Sequence, residues 1–79
     1  MTTKELFLKL ITSKGYSTLY DFCLKNGIDY SNTNKRLTGR QKIAIDWMFN
    51  LANILHIPVE DIIEIFYIDE WKENRSNIE

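Results

Sequence analysis

The sequence predicts an all-α fold, a compact five-helix domain. Three observations carry that prediction. Apolar residues recur at helical spacing in five segments. Capping residues and glycines punctuate those segments at helix-length intervals. No run of alternating polar and apolar residues lasts long enough to make a strand.

The first helix is expected from about Thr3 to Ser13. Leu6, Leu10 and Lys14 fall at i, i+4 and i+8, with Phe7 and Ile11 beside them. Thr2 or Thr3 can cap it and Gly15 stops it. The second is expected from about Thr18 to Asn26, with Ser17 as N-cap and Asp21 in the first turn. Leu19, Phe22 and Cys23 form its apolar face, and Gly27 follows as a left-handed end residue. The third, about Tyr30 to Thr38, is capped by Asp29 and ended by Gly39. Its only apolar content is Leu37 and the methyl of Thr33. A helix this polar does not form alone, so its neighbours must hold it while it presents its side chains outward.

The fourth, about Ile43 to Leu55, has Met48, Leu51, Ala52 and Leu55 at i, i+3, i+4 and i+7. Ala44 and Ile45 are expected to extend that stripe. Trp47, Phe49 and Ile54 lie off it and imply a second apolar surface. The fifth, about Pro58 to Tyr67, places Val59, Ile62, Ile63 and Phe66 on one face, with Glu60 and Asp61 at its positive end. Residues 1–68 are taken as one domain and 69–79 as a polar tail, its last residues expected to be disordered.

A chain of 79 residues, 44% hydrophobic and 27% charged, can bury one thin core. No apolar run is long enough to cross a bilayer and no leader peptide is legible, so a cytoplasmic, non-membrane protein is expected. The lone cysteine, Cys23, rules out an intramolecular disulfide and is best placed as a small core residue. The net charge of −1 hides an asymmetry. Residues 1–42 hold eight basic and three acidic side chains, a net of +5; residues 43–79 hold two and eight, a net of −6. A basic working face is one meaning of that split, and chance is the other.

The second and third helices make the informative pair. An amphipathic helix, a short turn holding Gly27 and a short polar basic helix are the pattern of a helix-turn-helix, whose second helix enters the DNA major groove. At this point the chain resembles the Cro/C1-type helix-turn-helix family of phage and bacterial repressors, the lambda-repressor-like fold. Three pieces carry the resemblance: F-C-L-K-N-G-I-D, Gly39 twelve residues after Gly27, and L-A-N-I-L-H-I-P-V-E-D-I-I. They span roughly Thr18 to Ile63. Thr33 departs from the family's aliphatic residue, Arg36 and Leu37 from an aromatic–acidic pair, and His56 from the glycine that often closes the fourth helix.

The resemblance implies a transcriptional regulator, repressor-like, that binds double-stranded DNA as a homodimer. Its base-edge readers would be Tyr30, Ser31, Asn34 and Lys35, with Asn32 and Arg36 as adjacent readers or backbone contacts. Asparagine can pair with adenine, and lysine or arginine with guanine, through two hydrogen bonds or a point charge. Ser17, Thr18 and Tyr20 would hold phosphate on one side, and Thr38, Arg40, Gln41 and Lys42 on the other. The alternative for all of these is a solvated polar face.

No metal-ligand spacing, phosphate-cradling glycine loop or nucleophile with its base is present, so no enzyme, metal or cofactor is expected. Tyr67, Ile68 and Trp71, with Trp47, are a candidate dimer or partner seam, against the alternative that they complete the core. The rival function is a protein-binding module on the same scaffold, such as a phage-encoded inhibitor of the anti-CRISPR kind or an antitoxin. The acidic second half and its surplus aromatics motivate that rival.

Overall fold

The computed structural model describes residues 2–67. Ile68 and Trp71 of the candidate seam, and the tail 69–79, lie outside the described residues. Within them stand five helices and no strand: α1 (Thr3–Ser13), α2 (Leu19–Asn26), α3 (Tyr30–Leu37), α4 (Ile45–Leu55) and α5 (Val59–Phe66). The domain is all-α.

Local chemistry sets most of the boundaries. The Thr2 hydroxyl oxygen accepts from the Glu5 N–H and starts α1. Thr18, not Ser17, does the same for α2, accepting from the Asp21 N–H at 2.9 Å. Ser17 sits one residue outside, where its N–H donates to the Asp21 carboxylate at 3.1 Å. Asp29 caps α3 through the Asn32 N–H at 2.8 Å. α4 begins at Ile45, two residues later than expected, because Ala44 is still extended. Pro58 likewise precedes α5 in an extended conformation rather than opening it.

The helix ends repeat one device. At α3, the Arg40 N–H reaches back to the Lys35 carbonyl at 2.8 Å and the Gly39 N–H to that of Arg36 at 3.3 Å. This wrap needs a left-handed residue, which Gly39 supplies at φ 79° and Gly27 supplies for α2 at φ 65°. At the end of α4 the same role falls to His56 at φ 56°, the one non-glycine residue with positive φ among those described. The Ile57 N–H still closes onto the Ala52 carbonyl at 3.1 Å.

The core is drawn from all five helices. Phe7 and Ile11 are fully enclosed, whereas Leu6 and Leu10 are only half-buried and Lys14 is exposed, so the buried line of α1 lies beside the expected one. Phe7 meets Phe22 edge-on at 5.7 Å and Phe66 at 6.0 Å. Phe22 in turn takes the edge of Tyr16 at 5.0 Å. Met48, Leu51, Ala52 and Leu55 bury the predicted stripe of α4. That stripe does not extend through Ile45, which is 51% exposed, nor through Ala44. Each fully buried large apolar side chain contributes about 1.5–3 kcal/mol relative to exposure.

Candidate nucleic-acid interface

Helix α3 follows α2 after a turn of three residues, Gly27–Asp29. Two side chains seat it. Leu37 is 4% exposed and Thr33 is fully buried. The Thr33 hydroxyl donates to the Asp29 carbonyl one turn back at 2.8 Å, so a polar group sits in the core without an unmet hydrogen bond. It also neighbours Cys23, whose thiol is pushed up by burial, and the Thr33 hydroxyl partly offsets that rise.

With Thr33 and Leu37 inward, helical geometry centres the outward side on Lys35 and Ser31. The expected readers do not all sit there. Ser31, Asn32 and Lys35 are exposed. Tyr30 lies on the α2 shoulder, 41% exposed, with its ring edge-on to Tyr20 at 5.7 Å. Asn34 is half-buried on that shoulder, and its Oδ1 is enclosed without a hydrogen-bond partner. Arg36 lies on the opposite shoulder, toward α4. Its guanidinium stacks over Trp47, 4.7 Å from the ring centroid, and its Nε is enclosed without a partner. As placed, Arg36 faces away from the exposed side. Trp47 is likewise engaged inside the chain, between Arg36 and the Phe66 ring at 5.4 Å, rather than standing free for a dimer seam. Tyr67 is half-buried at the end of α5.

The two flanks differ in their readiness to meet a phosphate. At the start of α2, Ser17, Thr18 and Tyr20 are all exposed. The Ser17 N–H is already held by Asp21, however, and the Asp21 carboxylate pairs with Lys25 at 3.3 Å. The Ser17 hydrogen bond, with Lys25 adding to it, holds the Asp21 carboxyl below its ordinary value. A negative charge therefore stands at this helix start, leaving the first two helical N–H groups, of Leu19 and Tyr20, as its donors. At the end of α3, Thr38 donates its hydroxyl to the Asn34 carbonyl at 2.9 Å. Arg40 and Lys42 are exposed there and Gln41 is half-buried.

Comparison with family models, curated proteins and solved structures finds no match to this chain.

Phe49, expected on a second apolar surface, is 49% exposed, but the exposure of Ile45 one turn before it, at 51%, and of Leu24 on α2, at 68%, departs from the sequence reading. The i, i+4 spacing of Ile45 and Phe49 was the available signal. Lys4 belonged to the basic half by count, yet nothing in its own neighbourhood placed it near Arg40 and Lys42. No helix among the described residues is long and apolar enough to cross a membrane.

Proposed function

We propose that this chain is a sequence-specific DNA-binding regulator of the Cro/C1-type helix-turn-helix class. It acts in the cytoplasm as a homodimer, with α3 as its recognition helix. One observation carries the reading. α3 is an eight-residue helix that buries only Thr33 and Leu37 and leaves Ser31, Asn32 and Lys35 exposed. A helix of that composition contributes little to a core, and its donors and acceptors suit base edges. In this reading Ser31 and Lys35, at the centre of the exposed side, are the central readers, with Asn32 beside them and Tyr30 and Asn34 on the shoulder. Arg40 and Lys42 supply backbone contacts. A dimer would set two such helices in successive major grooves about 34 Å apart.

Selection of bound sites from random duplex DNA tests this directly. Lys35→Ala is expected to relax specificity at one or two positions, at about 1–3 kcal/mol, and Arg40→Ala to weaken all sequences alike. Failure to retain any duplex at about 50 mM salt would sink the reading, since phosphate contacts persist there.

One observation favours a second reading. Ile45 and Phe49 make an exposed apolar pair on α4, in the acidic half of the chain. A protein partner docked there would define a binding module on the same scaffold. Phe49→Ser abolishing capture of such a partner, with DNA binding absent throughout, would decide for it.

A further inference from the structure

A groove of about 750 Å³ opens between the start of α1, the segment after α3 and the end of α5. Four cationic side chains line it: Lys4, Arg36, Arg40 and Lys42. They come from positions up to 38 residues apart, so the fold assembles them. Among the described residues, no aspartate or glutamate lines the groove and none pairs with any of the four. Glu5, next to Lys4, is tied to the Thr2 hydroxyl at 3.1 Å instead.

The polar lining favours an anion as well. Thr3, Thr38 and Gln41 share the groove with the cations. Arg36 enters it with its guanidinium over Trp47, 4.7 Å from the ring centroid, a contact that restrains the side chain. Held this way, an arginine loses less freedom when it binds an oxyanion than a free one would. Four positive charges in a concavity raise the local concentration of a multiply charged anion. Its dimensions lie within the range of ligand clefts, about 300–1,000 Å³.

We infer that this groove is a phosphate-binding site, with Lys4, Arg36, Arg40 and Lys42 as its ligands. The shared chemistry is a phosphate group, carried either on a nucleic-acid backbone or on a small phosphorylated molecule. Two of its ligands, Arg40 and Lys42, are the backbone contacts of the proposed DNA reading, while the groove itself lies apart from the base-reading side of α3.

The experiment is an amide-resolved NMR titration of the full chain with sodium pyrophosphate, against sodium chloride at equal ionic strength. Saturable shifts are expected at Lys4 and at residues 38–42, and not at Lys9, Lys14 or Lys25. Lys4→Gln and Lys42→Gln should each weaken binding about fivefold, the effect of one charged contact. Both are exposed or half-buried side chains, and unchanged melting would show that each variant folds. Displacement of pyrophosphate by a random duplex assigns the site to a nucleic-acid backbone. Simultaneous binding of both assigns it to a small phosphorylated ligand. Shifts scattered evenly over all lysines, or variants that bind as the parent does, overturn the site. A chain that holds pyrophosphate but no duplex keeps this site and loses the DNA reading.

Discussion

Helices α3 and α5 are equally long, eight residues each, and each buries two side chains. The resemblance ends there. Around Ile62 and Phe66, α5 packs the half-buried Val59, Ile63 and Ile65 against the core. Around Thr33 and Leu37, α3 has only polar residues and Tyr30, mostly turned to solvent. α5 is held along its length, whereas α3 is held at its ends and by one thin seam. α3 relies on Asp29 at its start, the wrap through Gly39 at its finish, and the stack of Arg36 on Trp47. A helix retained on such terms has a surface free for binding.

The sharpest way to break the comparison is in the core. Ile62→Ala in α5 should cost about 2–5 kcal/mol in urea unfolding, as for other enclosed aliphatic residues. Lys35→Ala in α3 should change stability by no more than about 0.5 kcal/mol while altering DNA selection. Similar losses from both would mean that α3 is not the free surface described.

End-holding is tested next. Asp29→Ala removes the acceptor for the Asn32 N–H and should cost about 0.5–2 kcal/mol. Amide exchange should accelerate in α3 more than in α5 if that loss is local.

His56 offers a smaller change of opposite sign. Its left-handed conformation is strained for a residue with a Cβ. His56→Gly is therefore expected to raise the urea midpoint, by up to about 1 kcal/mol after the added unfolded-state entropy of glycine.

The smallest effect is one of pH. Asp21 has a depressed carboxyl value when folded, so its ionised form stabilises the native state. That stabilisation is present above its ordinary value of 3.8 and is lost as pH falls through the lower folded one. Asp21→Asn should lower stability slightly at neutral pH and flatten the acid limb, the variant and the parent converging at low pH. An acid limb identical to the parent's would remove Asp21 from the capping of α2.

Much of this arrangement was legible along the chain. The limits of α1 were readable because Thr2 and Gly15 mark both ends within the sequence. The seam of α3 was readable because only two of its residues could face inward. Ile43 misled the start of α4: it is apolar and half-buried, but it packs from the link rather than from a helix. Arg36 is implied by the resemblance as an adjacent reader or a backbone contact. Its actual position depends on where α4 carries Trp47, and spacing within α3 holds no record of that. The groove was illegible for the same reason. Lys4 and Lys42 become neighbours only after α1 and the α3–α4 link meet.

The short links between helices also bear on how quickly the chain finds its fold. Successive helices are separated by no more than the seven residues 38–44, and the ends of α1, α2, α3 and α4 all reverse through backbone bonds that form locally. Little loop-closure entropy precedes the first stabilising contacts. Refolding should therefore fall in the microsecond-to-millisecond range of helical domains. Trp47, wedged against Phe66, supplies a fluorescent reporter for the moment when α4 and α5 close.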